Sequence, residues 1–84
     1  MLLMVGYFKN SVIIEKSTII EKKLFVKREI TFGQVDYLSL KKDNDIDIIC
    51  VHSKTGMIIK VPNSYQNFEI FEEIIEKQHW HWKK

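Results

Sequence analysis

The stretch Pro62–His79, PNSYQNFEIFEEIIEKQH, decides how the rest of this chain is read. Pro62 cannot extend a central strand, and Asn63 or Ser64 can cap a helix, with Gln66 in capping-box register to Asn63. At 100° per residue Phe68, Phe71, Ile74, Ile75, Gln78 and Trp82 fall in one arc, and Glu69, Glu72, Glu73, Glu76 and Trp80 fall opposite. Glutamates crowd the first half, and Lys77, His79, His81, Lys83 and Lys84 crowd the end, in agreement with the helix dipole. The spacing therefore predicts one amphipathic helix over about 65–79, with 80–84 as its tail.

Upstream the pattern has the opposite period. Thirteen Ile and six Val against no Ala favour sheet over helix. Leu2 to Phe8 reads as a strand, and Lys9, Asn10 and Ser11 turn it into a second strand from Val12 to Lys16. Two further strands, Thr18 to Val26 and Glu29 to Phe32, are expected to join near Lys27. After a turn at Gly33, Val35 to Lys41 alternates with a period of two. Asp43, Asn44 and Asp45 then form a turn, Ile46 to His52 the next strand, and Ser53 to Gly56 the turn into Met57 to Val61. The expected fold is α+β and mainly β: a single domain over 1–84, with six or seven short strands within 2–61 in antiparallel meander order, closed by one C-terminal helix.

Eighty-four residues leave little space for two lobes with a cleft between them. A chain this short buries only about 60% of its unfolded surface, so help from an oligomer or a partner is a live expectation. Cys50 is the only cysteine, which excludes an internal disulfide and points to a reducing, cytoplasmic compartment. The apolar start, Met1 to Phe8, is shorter than a membrane span and carries no basic leader or small-residue cleavage site.

The chemistry-bearing residues are few. Gly6, Gly33 and Gly56 form no phosphate-binding frame, so a nucleotide enzyme is not expected. Cys50, with His52 two residues on and hence on the same strand face, is the only nucleophile and base pair, and a mid-strand cysteine beside Ile48 and Ile49 is ordinarily a small buried hydrophobe. No catalytic residue is expected. Cys50, His52, His79 and His81 are the right types for zinc, but His79 and His81 diverge on a helix, so neither a metal nor any other cofactor is expected. Thirteen Lys plus Arg oppose eleven Asp plus Glu, and Arg28 is the lone arginine. The pI of about 8.7 is below that of most nucleic-acid binders, so nucleic acid is not an expected partner. Lys22, Lys23, Lys27, Arg28, Lys41 and Lys42 read foremost as solvated, edge-protecting charges.

Several segments together resemble a known family. Lys23 to Phe32 (KLFVKREITF), Gly33 to Leu38 (GQVDYL), Gly56 to Pro62 (GMIIKVP) and Asn67 to Ile75 (NFEIFEEII) are similar to the strands, half-turn and closing helix of small bacterial pleckstrin-homology-like (PH-like) domains. The likeness spans Ile19 to Lys77 and is one of hydrophobic and turn pattern. It implies a split barrel of six or seven strands capped by the helix, and a non-enzymatic platform that binds a protein or peptide. The lipid-binding branch of that family places several cations in its first loop, where this chain has only Lys9.

The functional expectation is thus a binding module for a protein or peptide, with Tyr65, Phe68 and Trp80 around the helix as contact residues. Trp80 falls on the Glu face and is exposed if the helix persists. Two alternatives remain: a structural homo-oligomer pairing through the strand Leu2 to Phe8, and attachment to an anionic membrane surface through Lys22, Lys23, Lys27 and Arg28, with Trp80.

Overall fold

The computed structural model describes residues 2–7 and 10–83. Phe8, Lys9 and Lys84, which enter the expected first strand, first turn and tail, lie outside the described residues. The first sheet runs β1 (Leu2–Tyr7), β2 (Asn10–Glu15), β3 (Thr18–Lys22) and β4 (Lys27–Thr31) in that order, antiparallel throughout. A 3-10 turn over Phe32–Gln34 leads into β5 (Val35–Asp43), β6 (Ile46–Ser53) and β7 (Ile58–Pro62). The helix α1 (Phe68–Lys77) and a two-residue strand β8 (Trp82–Lys83) complete the chain, and the second sheet has the order β7-β6-β5-β8.

The mainly β character and the single closing helix agree with expectation, whereas the barrel and the strand count do not. The strands form two separate four-stranded sheets rather than a closed barrel, and there are eight of them among the described residues. The eighth arises where a polar tail was expected. The helix ends at Lys77, and His79 takes a left-handed conformation (φ 57°) that reverses the chain. Trp82 and Lys83 then lie parallel to β5, opposite Leu38 and Ser39, and the Leu38 amide donates to the His81 carbonyl at 2.7 Å.

Alternation within the strands generates the core. In the first sheet Leu3, Ile14, Ile19 and Ile30 stand in one cross-strand row, all buried. In the second sheet the rows are Leu38–Val51–Ile59 and Leu40–Ile49–Val61, all buried except Leu40. Phe71 and Ile75, from the apolar stripe of α1, join both sheets in a single cluster. Burying a side chain of this size stabilises the fold by about 1.5–3 kcal/mol, so these rows and the helix stripe supply most of the driving force.

Tight turns fix the registers. Lys16–Ser17 and Asn44–Asp45 are two-residue hairpin turns with both residues at positive φ, the geometry that matches strand twist. Between β3 and β4 the turn differs from expectation. The strand does not run on to Val26 and turn near Lys27: Lys22 pairs with Lys27, and Lys23 to Val26 make the turn, closed by the Lys23 amide donating to the Val26 carbonyl at 2.8 Å. The reason is register, because only this alignment places Ile19 opposite Ile30 and Glu21 opposite Arg28.

Candidate functional site

The helix begins at Phe68, three residues later than the sequence spacing predicts, and this delay builds the site. Neither Asn63 nor Ser64 caps it. The N-cap is Asn67, left-handed at φ 67°, whose side chain makes no capping bond and donates instead to the Met4 carbonyl at 3.1 Å. Beside it the Gly6 amide donates to the Gln66 carbonyl at 2.9 Å. Gln66 and Asn67 are therefore held against the outer edge of β1 rather than wound into the helix, while the Asn63 amide donates to the Asp47 carbonyl of β6 at 2.8 Å. Gly6 permits this approach: at φ 106°, a Cβ there would lie 2.6 Å from the Asn10 carbonyl oxygen and 2.8 Å from Cδ2 of Tyr65. The same contacts occupy part of the β1 edge through which pairing with a second chain was an expectation.

Docking the linker in this way leaves an open groove of about 980 Å3 between α1 and the second sheet. Tyr65, Phe68 and Ile70 form one side, and Leu40, Ile49 and Trp82 the other. Ile49 is buried, whereas Leu40 is 59% exposed and Ile70 and Trp82 are each 41% exposed. Asp47, Asn63, Glu72 and Lys83 supply a polar rim with both signs of charge. β8 pairs only with Leu38 and Ser39, so Leu40–Asp43 continue past it with no strand in register on that side among the described residues.

Two of the three expected contact residues, Tyr65 and Phe68, line this groove together. Trp80 does not: it is half-buried, with its ring edge-on to Phe32 at 5.1 Å between centroids. The helical wheel places it on the exposed Glu face, but that extrapolation fails because the left-handed His79 breaks the 100° step before residue 80. Trp82, which the helical wheel puts on the apolar arc, takes the open position. Leu40, Ile70 and Trp82 are the groove residues that the sequence reading missed. A usable signal exists for Leu40, the last apolar member of an alternating run before Lys41 and Lys42.

Glu21 connects the groove to the first sheet. It occupies a core position in the row Val5–Val12–Glu21–Arg28 and is buried, with its Oε1 3.1 Å from the Arg28 guanidinium. A carboxylate taken from water needs such a partner. Burial raises the Tyr65 phenol above its ordinary pKa of 10.0, and the nearby Glu21 carboxylate pushes it in the same direction. Arg28 is thus committed to an internal ion pair, which distinguishes it from Lys22, Lys23 and Lys27.

The remaining chemistry-bearing residues lie elsewhere. Cys50 is buried, and the His52 ring stacks on Tyr37 at 4.1 Å while sharing a 2.8 Å hydrogen bond between Nε2 and the Ser39 hydroxyl. Among the described residues no three His, Cys, Asp or Glu side chains converge as a metal site, and no helix is long and apolar enough to cross a membrane. No protein-family model, curated protein or solved structure matches the chain.

Proposed function

We propose that this chain is a non-enzymatic, PH-like binding module that receives an extended segment of a protein partner in the groove between α1 and the second sheet. The observation that carries this reading is the exposure of Leu40, Ile70 and Trp82 around one concavity, beside the partly buried rings of Tyr65 and Phe68. Apolar anchors inside a polar rim are the anatomy of a recognition surface. The open flank of β5 beyond β8 adds main-chain donors and acceptors, which favours an extended peptide over a compact small molecule. The PH-like assignment is supported by four antiparallel strands, then three, then a helix, in chain order.

Selection of random extended peptides on the immobilised protein tests the proposal. Enriched peptides are expected to bind the native chain and to lose at least about tenfold in affinity on Leu40→Asp or Trp82→Ala, a change of about 1.4 kcal/mol. Both side chains are exposed, so the fold is expected to survive their replacement. Peptides that bind the variants as tightly as the native chain would place recognition elsewhere.

A further inference from the structure

Outside the groove, the largest exposure of apolar side chains among the described residues is at the β3–β4 turn. Leu24 is 70% exposed, Phe25 92% and Val26 43%, and none of them belongs to the core. They are consecutive, and the bond from the Lys23 amide to the Val26 carbonyl holds them at the end of the hairpin. Single exposed hydrophobes are ordinary on a protein surface, but three in succession at a turn are not. Lys22 and Lys23 precede them and Lys27 and Arg28 follow, all four exposed. Lys22 and Lys27 stand directly opposite each other in the ladder, an unfavourable pairing of like charges. In water this turn therefore combines two costs, exposed apolar area and adjacent cations.

We infer that the Leu24–Phe25–Val26 turn inserts into the interface of a membrane with anionic headgroups, while Lys22, Lys23 and Lys27 contact the phosphates around it. An anionic bilayer relieves both costs at once, since acyl chains and glycerol accept the apolar tip and the headgroup layer neutralises the cations one residue behind it. The acidic groups on this hairpin oppose the attraction only weakly. Glu21 is buried against Arg28, and Glu29 lies farther from the turn on β4, opposite Ile20. The contact differs in place from the expectation that included Trp80, which is packed against Phe32. It is also independent of the peptide groove, because Leu24, Phe25 and Val26 are not among the residues that line it.

Co-sedimentation of the full chain with vesicles tests the inference, using phosphatidylcholine alone and phosphatidylcholine with one part in four phosphatidylserine. Binding is expected only to the serine-containing vesicles and should weaken as salt is raised. Phe25→Ser should weaken it about tenfold, because most of one aromatic side chain's burial is lost. Lys22→Gln with Lys27→Gln should weaken it about thirtyfold, through the loss of two cations beside the headgroups. In a Phe25→Trp variant, the emission added over the native chain should shift to the blue on mixing and be quenched by brominated acyl chains. No binding to the serine-containing vesicles would overturn the inference, as would equal binding to both vesicle types or full binding by Phe25→Ser. A concentration-dependent dimer abolished by Phe25→Ser, without vesicle binding, would assign the turn to a contact between chains instead.

Discussion

The groove and the β3–β4 turn both expose large apolar side chains, and they do so in opposite ways. The groove is concave, with apolar residues drawn from β5, α1 and β8 and a rim of both signs of charge. The turn is a single run of three residues at a hairpin end, flanked only by cations. A concavity built from distant segments exists only while the fold is intact, and its shape can select a partner. A hairpin end is specified locally and suits a soft, extended, charged surface. What these regions teach is that exposed apolar area has meaning through curvature and neighbouring charge rather than through its amount.

The sharpest way to break the contrast is at Gly6. Gly6→Val should destabilise the chain by about 3 kcal/mol, since it adds a strained φ to a clash with Asn10 and Tyr65. Urea unfolding checks this, and the groove should lose its Tyr65 side while the turn is unaffected. Next is the ion pair beneath Tyr65. Arg28→Met leaves Glu21 buried without its partner and should cost about 2 kcal/mol, discounted because Arg28 is itself partly exposed. The double variant Glu21→Leu with Arg28→Met should recover most of that loss in the same assay. Native-like stability in the single variant would separate Glu21 from the support of the groove.

Much of this arrangement is legible in the sequence, and the limits are instructive. Period-two alternation through Leu38, Ile49, Val51, Ile59 and Val61 marks the core rows of the second sheet, and the 100° arc of Phe71 and Ile75 marks the buried helix face. What fails is extrapolation past a backbone reversal. Asn67 and His79, non-glycine residues at positive φ, delay the helix and end it early. The early end exchanges the roles of Trp80 and Trp82. Such positions carry little local signal, because contacts distant in sequence, such as that of Asn67 with Met4, hold them. The tip was missed for a different reason. Phe25 is a strong strand former by propensity, and only the cross-strand register moves it into a turn.

Smaller effects sharpen the picture further. With the Tyr65 phenol raised above 10.0, the unfolded chain ionises first as the solution becomes alkaline. The unfolded state then holds fewer protons than the folded state, so stability should fall from about pH 10 up to the folded-state pKa. Tyr65→Phe should show a shallower alkaline loss of urea midpoint than the native chain, and identical slopes would contradict the burial assigned to this ring. At the lower end of the scale, Leu24→Ser and Phe25→Ser should each change stability by less than about 0.5 kcal/mol, as expected for side chains outside the core.

The most direct test of two separate surfaces is a crossed titration read by backbone amide shifts. The native chain, Leu40→Asp and Phe25→Ser would each be titrated with a selected peptide and, in parallel, with short-chain anionic lipid. The account predicts that Leu40→Asp loses the peptide response around Tyr65, Phe68 and Ile70 and keeps the lipid response at Lys23 to Val26, and that Phe25→Ser does the reverse. If one substitution abolishes both responses while the fold persists, or neither affects its own surface, the two-surface account is contradicted.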